Sequence, residues 1–159
     1  MKLFYADAIE HSSAWGLHKD GTSRQKKKIL TCTMTLNTGQ QLPLGFCHVA
    51  RETSDTISST FRKDLEETEQ VRNMDENHKR DKGFLQEALE KLTYFMSDRA
   101  ANEQKANELL NSWRQQMLQD LDNEVDTNTV HSFYCMAHTL LGFQYYILQE
   151  FKAQQKQYD

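Results

Sequence analysis

The sequence predicts an α/β domain: a mixed five-stranded sheet, strand order 3-2-1-4-5, flanked by helices. Two observations predict it. The spacing of apolar residues switches several times along the chain between every second residue and every third or fourth. In addition, the first strands can be joined by hairpins while the later ones are separated by helical segments, which implies an antiparallel edge and a parallel remainder. With 159 residues, 38% of them hydrophobic, the chain can bury one sizeable core but not two.

Residues 1–13 (MKLFYADAIEHSS) read as a lead-in, and residues 14–159 as the domain, with a polar insertion or linker at about 66–83. Ala14 to Asp20 is short and mixed; it is taken as the first strand, closed by the turn signal Asp20-Gly21. Leu30, Cys32, Met34 and Leu36 alternate with Thr31, Thr33 and Thr35, giving a second strand with one apolar and one polar face. Asn37-Thr38-Gly39 supplies residues that tolerate positive φ in a hairpin turn. Leu42, Leu44 and Phe46 continue the alternation in a third strand, Gln41 to Arg51. Pro43, the only proline, places it at the sheet edge, because proline donates no ladder hydrogen bond.

After Arg51 the period becomes helical. Thr53 and Ser54 are N-cap residues, and Ile57, Phe61 and Leu65 form a thin apolar stripe. Glu66 to Lys82 is almost wholly polar, as expected of an exposed helix extension or a loop. Periodicity resumes at Phe84, Leu85, Ala88, Leu89 and Leu92. It gives way to a fourth strand, Thr93-Tyr94-Phe95-Met96, bounded by Ser97-Asp98. Ala106, Leu109, Leu110, Trp113, Met117 and Leu121 make the strongest helical face, which assigns Trp113, Met117 and Leu121 to the core. A polar break at Asp122 to Asn128 precedes an aromatic-rich fifth strand, Val130 to Met136. From His138 onward, Leu140, Leu141, Ile147, Leu148 and Phe151 read as a closing helix.

Twenty-three acidic against nineteen basic side chains leave a net charge of -4. No bulk attraction to nucleic acid or to lipid follows from that balance. The cluster Arg24-Gln25-Lys26-Lys27-Lys28 is local, and suits either a phosphate contact or a solvated turn. Three scattered cysteines, Cys32, Cys47 and Cys135, fit a reducing intracellular compartment better than a disulfide framework. The first residues lack the apolar core of a signal peptide, and no run approaches the ~20 apolar residues of a membrane span, so a soluble protein without membrane contact is expected.

With right-handed crossovers and a central first strand, strands one, four and five run parallel and open on one side, where α/β sheets place ligands. Asp20, Asp98 and the Cys135-Met136-Ala137-His138 segment fall at those three ends. Two neighbouring carboxylates repel unless a cation bridges them, and Mg²⁺ or Mn²⁺ suits oxygen ligands of this kind. Each residue also has a plain role: Asp20 as a turn former, Asp98 as a helix cap, and Cys135 and His138 as a buried thiol and a helix-start histidine. Cys135-x-x-His138 is half of a zinc-site spacing, with no second ligand pair at a suitable distance.

Three blocks carry a resemblance: His18-Lys19-Asp20-Gly21-Thr22-Ser23, Phe95-Met96-Ser97-Asp98-Arg99-Ala100-Ala101-Asn102, and Tyr134-Cys135-Met136-Ala137-His138-Thr139-Leu140. In order and spacing the chain resembles the ribonuclease-H-like catalytic domain of DDE transposases, nearest to hAT-like elements and related transposon-derived proteins, over roughly Trp15 to Tyr146. The resemblance implies a ribonuclease-H-like fold and DNA as partner. It makes Asp20 and Asp98 the first two catalytic acids, holding Mg²⁺ or Mn²⁺ for DNA cleavage and strand transfer with no small-molecule cofactor. It also makes Cys135 and His138 part of the framework or DNA path, and implies an intracellular, nuclear setting. The third acid, a glutamate beyond a helical insertion after the CxxH block, has no counterpart before Asp159. Glu150, twelve residues after His138, is the only nearby substitute. Also absent is a module to find transposon ends. The expectation is therefore a truncated or degenerate transposase core, inactive alone, with a non-catalytic protein-interaction module on the same fold as the alternative.

Overall fold

The computed structural model describes residues 2–24, 27–74, 83–98, 100–121 and 129–155. The elements are α1 (Lys2–Glu10), β1 (Trp15–Arg24), β2 (Lys27–Leu36), β3 (Gln41–Val49), α2 (Ser54–Met74), α3 (Phe84–Lys91), β4 (Leu92–Ser97), α4 (Ala101–Leu121), β5 (His131–Tyr134) and α5 (Met136–Gln155). They form one five-stranded sheet in the order β3-β2-β1-β4-β5, the order the sequence predicts. β1 pairs antiparallel with β2, and β2 with β3, whereas β1–β4 and β4–β5 are parallel.

Alternation assigns the sheet two unlike faces. Trp15 and Leu17 of β1, Cys32, Met34 and Leu36 of β2, Leu42 of β3 and Phe95 of β4 join Ile9, Phe61, Leu65, Phe84, Leu89 and Leu110 in one buried cluster, so α1 to α4 cover a single face. The opposite face carries the cross-strand row Pro43–Thr33–His18–Met96–Phe133. Pro43 lies on the edge strand β3, opposite Thr33, where its missing N–H costs nothing to a further strand. Gly39 takes φ +85° in the β2–β3 turn, where its N–H donates to Leu36 O (2.9 Å).

Several elements differ from the sequence expectation. The lead-in is largely a helix: α1 buries Tyr5, Ala6 and Ile9. It is tied down by Lys91, whose Nζ donates to the carbonyls of Ile9 (3.1 Å) and Glu10 (2.8 Å) at its last turn. β1 does not stop at Asp20-Gly21; it runs on to Arg24 because β2 pairs with it residue for residue from Trp15/Leu36 to Arg24/Lys27. α2 starts as expected, with Thr53 Oγ1 accepting from Thr56 N (3.2 Å), and continues to Met74. Its polar extension is not simply exposed. Thr68 and Arg72 are buried, and Arg72 Nη2 lies 2.5 Å from Glu10 Oε1, which joins α2 to α1. Residues 75–82 and 122–128 of the expected polar insertion and break lie outside the described residues.

On α4 the buried face is Glu103, Ala106, Asn107, Leu110, Arg114 and Leu118. Trp113 and Met117 sit half-buried at its margin, and the side chain of Leu121 lies outside those described. The helix is rotated from the purely apolar reading because two of its charged side chains have dedicated buried partners: Glu103 with Lys19, and Arg114, whose Nε donates to Leu89 O (2.6 Å). β5 is shorter than expected and exposed along its whole length. α5 forms, but its apolar side chains are exposed. Among the described residues, no helix is long and apolar enough to cross a membrane.

Candidate functional site

β1 and β4 pair in parallel up to His18 opposite Met96. Asp20 stands two residues further along β1, and Asp98 is the residue that follows the end of β4 at Ser97. Both acids thus follow the last β1–β4 pair, Asp98 past the end of β4 and Asp20 within β1, which continues to Arg24. Alternation turns Asp20 to the His18 face of β1, away from Lys19, which points to the core.

Asp20 is exposed, and its backbone carbonyl accepts from Thr31 Oγ1 (3.0 Å) across the β1–β2 ladder. Asp98 is half-buried, and its Oδ1 accepts from Ala100 N (2.9 Å). Ala100 O in turn accepts from Glu103 N (3.0 Å) and Gln104 N (3.1 Å), so Asp98 steers the chain into α4. The plain capping role is therefore present. It occupies one of about four lone-pair positions of a carboxylate, so it is compatible with a second role as a cation ligand.

Two acids that periodicity did not single out join this end of the sheet. Glu52, between β3 and α2, lies against Gly21; a Cβ added at Gly21 would fall 1.8 Å from Glu52 Oε1. Glu52 O accepts from Asn102 Nδ2 (3.0 Å), and its carboxylate lies 3.7 Å from Lys28 Nζ on the rim. Glu103, in the first turn of α4, meets Lys19 Nζ at 2.9 Å, with side-chain exposures of 2% and 0%. Burial pushes the Glu103 carboxyl above its ordinary value. The Lys19 ammonium draws it down less strongly, and the nearby charges of Asp98 and Glu52 raise it again. The Glu103 carboxyl thus feels both Asp98 and Glu52, with Lys19 buried beside it and Lys28 near Glu52 at the edge.

Compared with protein-family models and with curated proteins, the chain matches none.

Among the described residues, no three His, Cys, Asp or Glu side chains converge as a metal-binding group. Glu150 is exposed. It lies on α5, fourteen residues beyond Met136, a separation of ~21 Å along a helix axis. Cys135 is half-buried rather than buried, and its N–H donates to Ser97 O (2.8 Å), extending the β4–β5 ladder toward Asp98. The side chain of His138 lies outside those described, as do Gln25, Lys26 and the side chain of Arg24 in the basic cluster. Lys27 and Lys28 are exposed at the far end of the β1–β2 ribbon, which extends four residues past Asp20, or ~13 Å.

The sequence held a signal for Lys19, whose position alternates with Trp15 and Leu17 and so points inward. Glu103 and Glu52 carried none, because each sits in a polar stretch where burial is decided by a partner far away in the chain.

On the sheet's other face, His18 Nε2 lies 3.2 Å from Tyr94 Oη and 3.0 Å from Thr35 Oγ1. The Tyr94 ring lies over Gly16, where a Cβ would come within 2.0 Å of it. Partial burial holds the His18 imidazole below its ordinary pKa.

Proposed function

We propose that the end of the sheet carrying Asp20 and Asp98 is a divalent-cation site of the ribonuclease-H-like kind, in a domain related to the catalytic core of DDE transposases and acting on a nucleic-acid phosphodiester. The observation that supports this reading is the parallel β1–β4 pairing, whose last pair, His18 and Met96, comes two residues before Asp20 and Asp98. The strand order and the three sequence blocks support it. Two carboxylates suit Mg²⁺ or Mn²⁺, which are commonly held by one or two protein acids and complete their shell with water and phosphate oxygen. When bound, such an ion polarises a phosphoryl oxygen and lowers the pKa of a coordinated water.

The chain's own residues have separable parts in this proposal. Asp20 and Asp98 hold the cation, and the Ala100 N–H fixes the orientation of the Asp98 carboxylate. Lys19 offsets the charge of Glu103 beneath them, which keeps the accumulated negative charge from opening the end of the sheet. Lys27 and Lys28 extend along the ribbon to positions where a phosphate backbone would pass.

Isothermal titration with Mn²⁺ tests the proposal. The parent protein binds, and Asp20→Asn and Asp98→Asn each weaken binding by at least tenfold while melting as the parent does. Absence of binding in the parent, or equal binding in both variants, overturns it. A second reading, a protein-interaction module, is favoured by a separate observation: the exposed apolar surface of α5.

A further inference from the structure

α5 is the one described helix whose apolar side chains face outward. Leu140, Leu141, Phe143, Tyr145, Tyr146 and Phe151 are each at least 60% exposed, and no described element packs along the helix. With aromatic side chains contributing on the order of 150–250 Å² apiece, the uncovered apolar area of α5 is roughly 1,000 Å². The largest such patch on a typical monomer is about 300–600 Å². A stable protein–protein interface buries about 800 Å² on each partner. α5 therefore exposes more than a lone molecule normally does, and as much as a stable association needs.

The pattern along α5 identifies the kind of surface it fits. Met136, Leu140, Phe143 and Ile147 are spaced four, three and four residues apart, which sets them on one stripe. Leu141, Tyr145 and Leu148, spaced four and three, form a second stripe beside it. A four-three spacing is the seam along which one helix packs on another helix at a shallow angle.

Charge decides between occupants. From Met136 to Gln149 the chain carries no Asp, Glu, Lys or Arg, within a protein whose net charge is -4. Two copies of an acidic chain repel over most of their surfaces, and α5 is a stretch about 20 Å long where they meet without that penalty. An anionic lipid surface finds no lysine or arginine there to attract it, and a basic partner finds no acid. A symmetric pair also needs only one self-complementary patch.

We infer that this protein self-associates through α5, the Met136–Leu140–Phe143–Ile147 stripe of one copy lying against the same stripe of a second. The association does not depend on the carboxylate site.

Sedimentation velocity of the full chain, over a hundredfold range of concentration, tests the inference. The parent sediments at twice the monomer mass of 18.6 kDa at high concentration and dissociates on dilution. Leu140→Glu/Phe143→Glu, at two exposed positions, remains monomeric throughout and keeps the parent's circular dichroism spectrum and melting temperature. Asp98→Asn associates as the parent does. A parent that stays monomeric overturns the inference, as does a double variant that still pairs. So does a monomeric parent that co-sediments with phosphatidylcholine–phosphatidylserine vesicles, since lipid would then be the occupant.

Discussion

The ion pair between Lys19 and Glu103 is the place where a single substitution tests the architecture of the site end most sharply. Its atoms are 2.9 Å apart, and both side chains are essentially inaccessible. Lys19→Met removes the cation and keeps an unbranched chain of similar length, leaving the Glu103 carboxylate buried near Asp98 and Glu52. Breaking a buried pair in this way costs about 3–5 kcal/mol. In a domain of this size each kcal/mol moves the melting temperature by roughly 2–4 °C, so a fall of about 6–20 °C is expected. Urea unfolding followed by circular dichroism measures the loss. Lys19→Met/Glu103→Leu, which removes both charges together, recovers most of it, because the desolvation cost disappears with the pair.

The pH dependence has a definite sign. The Glu103 carboxyl already titrates above its ordinary value of 4.5, and removing Lys19 takes away what lowers it. The folded state then binds more protons than the unfolded state between that value and the raised one, so stability increases as the pH falls through the window. The deficit of Lys19→Met is therefore largest near neutral pH and shrinks toward pH ~5. A variant as stable as the parent, or a deficit that grows on acidification, would refute the assignment of Glu103 as a buried, charged partner.

Gly16→Ala forces a Cβ into the Tyr94 ring and costs about 1–3 kcal/mol by overpacking, whereas Gly21→Ala meets only the movable end of Glu52 and costs under ~1 kcal/mol; paired urea titrations distinguish the two. His18 titrates below its usual value, so its contribution to stability is present above pH ~6.5 and is lost as the pH falls through its folded pKa. The fall in melting temperature below that pH should be smaller in His18→Gln. Burial pushes the Cys32 thiol up to about 12, so a thiol reagent applied to the native protein modifies Cys47 and Cys135 first and reaches Cys32 only on unfolding, as peptide mass mapping would show.

The parts of the fold that were legible in the sequence are those in which local pattern and tertiary placement agree. The Leu30–Leu36 alternation, the Asn37-Thr38-Gly39 turn and Pro43 each carry one physical meaning, and together they define the antiparallel edge. The helices of the remainder were equally legible where Ile57, Phe61 and Leu65 or Phe84, Ala88 and Leu89 set the period. What was hidden depends on distant partners. α1 is short and acidic and gave no signal. It is held by contacts with residues more than sixty positions away, Arg72 and Lys91 among them.

The α4 face was misjudged because Glu103 and Arg114 read as surface residues until Lys19 and the Leu89 carbonyl are in place. The turn expected at Asp20-Gly21 failed for the same kind of reason: the partner strand β2 outweighs the local preference of two residues. Near the site, the parallel β1–β4 pairing that precedes Asp20 and Asp98 was legible. The position of Glu52 against Gly21, which depends on how the β3–α2 connection returns to β1, was not.

Paramagnetic broadening by Mn²⁺ examines the shared site most directly. In a two-dimensional amide spectrum titrated with small amounts of Mn²⁺, one ion held between the two strands broadens the signals of Asp20, Gly21, Asp98 and Ala100 together, at the same metal concentration. Asp20→Asn should abolish the effect at Asp98 and Ala100 as well as at its own position. Broadening of only one of the two segments, or broadening near Asp98 that survives Asp20→Asn, would show that the carboxylates do not share a cation.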